Sequence, residues 1–313
     1  MVFAPTAMLT VTIERPADEV ELHLHAGGQG VWQARMMRSL GLPVTLCGAV
    51  GGEVGAVLCT LIEAEGVELK LVQREGTSGW YVDDRRGGER NRIAESPGAP
   101  LGRHELDELY GLALSAGLGA EVSVLSGPND PSLVPADMYR RLSADLTKHG
   151  GIVVADLSGS YVDAVLEGGV AFLKVSDEEL ARDGRVAPDD EESLVAALHE
   201  LHDRGARSVL ISRAERPALA LLDGDVMTVE PPRLEEADHH GAGDSMTAGV
   251  AAVLARGGTV REAVRTGAGA GALNVTRHGL GTGSAEAIAE VAARVRLTPL
   301  GDPRPPAPSQ EST

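Results

Sequence analysis

Apolar and polar residues alternate with period two over residues 9–26 (LTVTIERPADEVELHLHA), and Pro16-Ala17-Asp18 interrupts the run. Successive side chains of a strand point to opposite faces, so the segment predicts two strands joined by a turn, with two unlike faces. Residues 27–41 (GGQGVWQARMMRSLG) read as a glycine turn feeding a helix that stops at Gly41. The strand VTLCGAV and a second glycine turn, GGEVG, follow, then a helix over 54–65 ending before Gly66. Residues 67–94 return to alternation around a charged tip, DDRRGGER.

From residue 104 the period switches repeatedly between strand and helix. VSVLSG, a helix over 135–149, GIVVADLS, a short helix, VAFLKVS, a further helix and SVLISR succeed one another. Repeated units of this kind predict an α/β fold whose mostly parallel sheet is flanked by helices on both faces. Two long helices, 242–256 and 259–276, close the domain, the second opened by Thr259-x-x-Glu262 in the form of a capping box. The division expected is a core made of 1–8, 27–66 and 97–298, a small β-sheet lid made of 9–26 and 67–96, and a Pro-rich, disordered tail over 299–313.

A chain of 313 residues can bury one large α/β core with a small accessory element. Only 3% of it is aromatic, so Leu, Val and Ala must fill that core, and each of the two Trp stands out. The formal net charge of −18 repels phosphodiester backbones and anionic lipid surfaces, which argues against nucleic acid and membrane as partners. The N-terminal run MVFAPTAMLTVTI has no basic leader and is too short to span a bilayer. Cys47 and Cys59 lie in apolar stretches without a disulfide framework, and the expectation is a cytoplasmic protein.

The chemistry concentrates in Asp238-His239-His240-Gly241-Ala242-Gly243-Asp244, directly before the helical run SMTAGVAAVLARGG. Free N–H groups at a helix start carry partial positive charge, and Gly241, Ala242 and Gly243 let backbone approach a ligand, so the place suits phosphate oxygens. A carboxylate in that first turn, Asp244, can take a proton from a substrate hydroxyl while the amides steady the transferred phosphoryl group. A tight turn at the glycines, with Asp244 complementing the helix dipole, accounts for the same residues.

D-x-x-G-A-G-D before a small-residue helix resembles the C-terminal signature of the PfkB/ribokinase family of carbohydrate kinases. GGQG-x-x-x-AR, LCGAVGGEVGAVLCTLIEAEGV, LSGPNDPSLVPADMYRRL and residues 262–284 resemble further family segments, so that the likeness spans residues 1–290 and is nearest the 1-phosphofructokinase and tagatose-6-phosphate kinase branch. The resemblance implies a ribokinase-like fold, Mg²⁺–ATP as phosphoryl donor and Asp244 as catalytic base; lid strands with an exposed face commonly pair with another lid, so a homodimer through the lid is expected.

The same resemblance implies site residues, with departures. Lys174-Val175-Ser176-Asp177-Glu178-Glu179 is similar to K-P-N-x-x-E, which puts Lys174, Ser176 and Glu179 at the nucleotide and Glu179 at Mg²⁺ through water. Ser176 stands where the family has Asn, and Ser176-x-x-Glu179 is equally a capping box. Ser212-x-Ala214-x-x-Pro217 is similar to S-x-G-x-x-G with both glycines replaced, and Asn274 matches a position on the adenine-facing helix. On the acceptor side the family pattern maps onto Met8, Gly27, Gly28, Gln29, Trp32 and Trp80. Met8 stands for a carboxylate, Gln29 for Lys, Trp32 for Asn and Ser78 for Arg, which implies a less charged pocket in which Trp32 and Trp80 meet across the lid. Three readings follow: a sugar or sugar-like acceptor, with an ordinary phosphofructokinase disfavoured by the missing cations; a nucleoside or aromatic-alcohol kinase; or a catalytically weak ligand-binding relative.

Overall fold

The computed structural model describes residues 1–15, 19–214, 216–234, 241–275 and 283–301. The apolar run at the N-terminus forms β1 (Val2–Thr6), which pairs in parallel with β4 (Thr45–Gly51) on one side and β8 (Val122–Ser126) on the other. Beyond β4 lies β5 (Glu68–Arg74), and beyond β8 lie β9 (Ile152–Asp156), β10 (Phe172–Ser176) and β11 (Val209–Ser212), all parallel. An antiparallel extension of β12 (Ala218–Leu222), β13 (Asp225–Glu230) and β14 (Arg296–Pro299) completes the order β14-β13-β12-β11-β10-β9-β8-β1-β4-β5.

Helices cover both faces, which is why the central strands read as unbroken apolar runs rather than alternating ones. One core cluster gathers Leu109 and Ala113 of α3 (Arg103–Leu118), Tyr139 and Leu142 of α4 (Ala136–Lys148), Val165 of α5 (Ser160–Gly168), Leu180 of α6 (Asp177–Arg182) and Leu198 of α7 (Glu191–Asp203). The other gathers Val31 and Ala34 of α1 (Gln29–Ser39), Leu58 and Ile62 of α2 (Gly52–Ala64), Val250 of α8 (Ala242–Ala255), Val264 of α9 (Val260–Asn274) and Ile288 of α10 (Ala285–Ala292). The helices α8 and α9 approach closely because small residues face each other: a Cβ on Gly249 would lie 2.8 Å from the Gly267 Cα. That contact fixes the start of α8 at the C-terminal ends of the parallel strands.

A second sheet, ordered β3-β2-β6-β7, consists of β2 (Met8–Glu14), β3 (Glu21–Gly27), β6 (Gly79–Asp84) and β7 (Asn91–Ser96). It takes the place of the expected lid, and its inner end is narrower than the sequence pattern suggested. Residues 68–74 belong to the large sheet as β5, because their backbone groups pair with β4 through all seven residues. Strand β2 begins at Met8, one residue before the expected lid boundary, and α10 and β14 follow the two long closing helices. Pro299 ends β14, and residues 302–313 of the predicted tail lie outside the described residues.

On one face of the lid, Ala26, Leu9 and Trp80 form a paired row, with Leu24, Val11 and Val82 the next row out. The inner row packs on the second core cluster, whereas Leu22 and Leu24 remain 63% and 42% exposed. The opposite face carries Met8, Thr10, Thr12, His23 and His25.

Candidate active site

Gly241 caps α8 in the left-handed region, with φ 75° and ψ 5°, a conformation open to glycine without a Cβ penalty. The first bond of the helix runs from the Ser245 N–H to the Gly241 carbonyl at 3.0 Å, so the amides of Ala242, Gly243 and Asp244 have no acceptor within the helix. Ala242 and Gly243 line a cavity of about 1090 Å³, together with Lys174, Ser176, Ser212 and Pro217. Asp238–His240, the first part of the sequence signature, lie outside the described residues.

Asp244 is buried at the head of this helix. Burial first, then the negative charges of Asp156 and Glu179, push its carboxyl up to about 8, against the opposing pull of Lys174 and of a hydrogen bond from Gln29. Lys174 is buried as well. Burial favours its neutral form, but Asp156, Glu179 and Asp244 outweigh that and hold its pKa above the ordinary lysine value. Its Nζ donates to Asp156 Oδ1 at 3.2 Å and lies so close to the α8 start that a Cβ on Gly243 would sit 2.5 Å from it.

Asp156, at the C-terminal end of β9, was not among the residues the sequence singled out. Its carboxyl is pushed up by burial, with the Lys174 charge and the Thr247 hydroxyl acting against that rise. Oδ2 accepts from Thr247 Oγ1 at 2.7 Å and from Gln33 Nε2 at 3.1 Å, and Gln33 Oε1 accepts in turn from Ser126 Oγ. Two carboxylates facing one ammonium cannot both ionise freely. Asp156, with three donors, balances the Lys174 charge, and burial beside that pair raises the Asp244 carboxyl. The signal for Asp156 was a carboxylate ending an apolar strand, at the edge where open α/β sheets place their ligands.

Of the residues expected at the nucleotide, Lys174, Ser176, Ser212 and Ala214 line the same cavity. Ser176 and Glu179 form the capping box: the Glu179 N–H donates to Ser176 Oγ at 3.2 Å, and Glu179 Oε2 accepts from the Ser176 N–H at 2.8 Å and its hydroxyl at 2.9 Å. Ser212, Ala214 and Pro217 line the cavity, and their loop is tied to neighbouring chain by Arg213 to Glu191 at 2.7 Å and by Arg216 to Asp189. Asn274 is buried at the end of α9, where Gly271, Ala272 and Val275 line the cavity.

Of the residues expected at the acceptor, Met8, Gly27, Gly28, Gln29 and Trp32 meet where β1, β2, β8 and α1 converge. Gly28 adopts φ 98°, and a Cβ there would lie 3.1 Å from Asn129 Oδ1 and 3.6 Å from the Met8 nitrogen. Met8 pairs with Gly27, and the Trp32 ring edge stands 3.5 Å from where a Gly27 Cβ would be. Gln29 Oε1 accepts from the Gly127 N–H at 2.7 Å while its amide serves Asp244. Trp80 does not join this group. Strand alternation turns it to the face opposite Met8, where it packs on the core cluster, so the two indoles do not meet. Ser78 Oγ accepts from the Gly51 N–H at 3.0 Å and so braces a turn.

A mostly parallel sheet flanked by helices on both faces, with a small second sheet, gives the chain a ribokinase-like fold. The family model for pfkB family carbohydrate kinase matches residues 9–287, and the chain belongs to that family. It is 28% identical over 272 residues to the ATP-dependent 6-phosphofructokinase isozyme 2 of Mycobacterium tuberculosis, covering 84% of this chain and 78% of that protein. It is 30% identical over 239 residues to the 1-phosphofructokinase of Xanthomonas campestris pv. campestris, covering 73% of each. The crystal structure of phosphofructokinase-2 from Escherichia coli in complex with potassium superposes with a TM-score of 0.83 at 24% identity, over 93% of this chain and 97% of that one. The protein is therefore an ATP-dependent kinase acting on a hydroxyl acceptor of the sugar class. These relatives lend no support to a non-catalytic ligand-binding protein or to a nucleoside kinase.

Proposed function

We propose that Asp244 is the base of this kinase. The observation that carries the reading is its position: a buried carboxylate in the first turn of α8, flanked by the free amides of Ala242 and Gly243 and by Lys174 at the cavity wall. Asp244 takes the proton of the acceptor hydroxyl as its oxygen attacks the γ-phosphorus of ATP, and the bond from that phosphorus to the β–γ bridging oxygen breaks. The amides from Gly241 to Gly243 and the Lys174 ammonium bear the charge on the moving phosphoryl group. Ser176, Ser212, Ala214 and Asn274 belong to the nucleotide side.

Mg²⁺ fits beside Glu179, whose Oε2 is engaged in the capping box and whose Oε1 is left for a metal-bound water. Bound there, the ion would neutralise phosphate charge.

The acceptor lies against Met8, Gly27, Gly28, Gln29 and Trp32. Its phosphate, where the phosphofructokinase relatives act on phosphosugars, has no evident cation among these residues: Met8 and Gln29 are neutral, and Ser78 is occupied by the Gly51 N–H. The reading favours a sugar or sugar-like compound without a phosphate. ADP release should be measured with purified enzyme against sugars and phosphosugars in parallel. Turnover on no hydroxyl compound, or unchanged turnover in Asp244→Asn, would refute it; loss of turnover by on the order of 10²–10⁴ with nucleotide binding retained supports it.

Lids of two chains pair through the exposed rows of Leu22 and Leu24, giving a homodimer in the cytoplasm. No described helix is long and apolar enough to cross a membrane. Sedimentation of wild type against a Leu22→Asp, Leu24→Asp double variant tests the pairing, and a monomeric wild type would exclude it.

A further inference from the structure

The Lys174 ammonium stands between two buried carboxylates, and its choice of partner has chemical consequences. A carboxylate paired directly with an ammonium is a weaker base, because the cation stabilises the ionised form. In this structure Nζ donates to Asp156 Oδ1 at 3.2 Å, while Asp244 acts on it only through space. Asp156 cannot swing away. It is completely buried, Thr247 of α8 and Gln33 of α1 both hold its second oxygen, and Ser126 at the end of β8 holds Gln33.

We propose that Asp156 is a positioning residue: it ties the Lys174 ammonium against Gly243, at the phosphate side of the site, and so keeps that cation off Asp244, which stays free to receive the acceptor's proton. Gln33 and Thr247 fix Asp156 for this task. The geometry serves both halves of the reaction, since the ammonium is delivered to the cavity lined by Ala242 and Gly243 while the base remains unpaired by it. The charged groups acting on Asp244 among the described residues are Asp156 from β9, Lys174 from β10 and Glu179 from α6, with the neutral Gln29 from α1. Among the described residues, Asp156 both acts on the Asp244 charge and accepts the hydrogen bond of the Lys174 ammonium.

A buried, fully bonded network could instead serve stability alone. The pH profile separates the two roles. This inference rests on Asp244 being the base, and Asp244→Asn tests that separately. With Asp156→Asn, a negative charge leaves the neighbourhood of Asp244 and Lys174 is released toward it. Both changes favour ionised Asp244, so the acid limb of kcat/KM should move down by about one pH unit or more, and kcat on the alkaline plateau should fall about tenfold as the base weakens. Thr247→Val keeps every charge but removes one donor from Asp156, so it should lower the melting temperature and move the limb down by clearly less than Asp156→Asn does. An unmoved limb in folded Asp156→Asn, or an equal movement in both variants, overturns the proposal. Should Asp156→Asn fail to fold, Gln33→Leu loosens Asp156 without removing a charge: the limb should move down by a smaller step, and an unmoved limb in that folded variant overturns the proposal equally.

Discussion

Gln29 and Gln33 stand one turn apart on α1, and each reaches a different carboxylate: Gln29 bonds Asp244, and Gln33 bonds Asp156 at 3.1 Å. Their carbonyl oxygens return to adjacent residues at the end of β8, Gln29 to the Gly127 N–H and Gln33 to the Ser126 hydroxyl. One helix face thus references both acids to a single strand end. Gln29→Leu removes a donor that favours ionised Asp244, so the proton is held more tightly. The acid limb of kcat/KM should move to higher pH, and turnover near neutrality should drop severalfold while kcat on the alkaline plateau is retained and the acceptor KM rises with loss of the Gln29 contact. A pH–rate profile with the limb unmoved would remove Gln29 from the acid–base chemistry.

The position of Asp244 also couples folding to pH. Burial first, then the Asp156 charge, push its carboxyl in the folded chain up to about 8, far above the ordinary 3.8. A pKa raised by folding stabilises the protein fully below the unfolded value, and this contribution is lost as pH rises through the folded one. Asp244→Asn, which has no proton to lose, should therefore match wild type near pH 4 and gain on it up to about pH 8. Calorimetry at pH 5 and pH 9 should show its relative melting temperature higher at pH 9 by on the order of a few degrees. An advantage that shrinks with pH would contradict the raised value.

Much of this arrangement was legible in the chain, for reasons that differ by element. The strand and helix periods from β8 onward were clear because both faces of the sheet are covered, and the small residues before Asp244 announced a helix start near a ligand. Residues 68–74 were misassigned because ELKLVQR alternates in the same way whether it pairs with β4 or with the lid; pairing partners are tertiary facts. The face taken by Trp80 depends on a one-residue register that periodicity leaves open. Asp156, Gln33 and Thr247 lie on three separate elements, and only the packing of α1 and α8 over β9 brings them together.

Gly243 shows how little room the phosphate side has. An alanine Cβ there would sit 2.5 Å from Lys174 Nζ and 3.1 Å from its Cε. Lys174 is buried and bonded to Asp156, so its head can yield only by lengthening that bond. Gly243→Ala should fold, since its backbone φ is not in the left-handed region, and should raise KM for ATP by about tenfold or more with a parallel fall in kcat, as a displaced cation no longer meets the transferred charge. Kinetics indistinguishable from wild type would show that the ammonium is not required where it stands.

The two tryptophans should respond in opposite ways when replaced. Trp32 lies beside Gly27 on the side of Met8, where an acceptor approaching Asp244 would meet it, and it is absent from the core clusters. Trp80, on the reverse face of β6, packs against the cluster that contains Leu58 and Ile62. Trp32→Ala should therefore raise the acceptor KM by about tenfold, the loss of one stacking surface, while leaving KM for ATP within about twofold and the melting temperature little changed. Trp80→Ala should leave the acceptor KM near wild type and cost on the order of 2–4 kcal/mol of stability through the vacated packing volume. Acceptor binding should quench indole fluorescence in wild type and in Trp80→Ala, and not in Trp32→Ala. If the quench survives loss of Trp32 and vanishes with loss of Trp80, the acceptor reaches the lid from the other face and the placement of Met8, Gly27 and Trp32 at the acceptor is wrong.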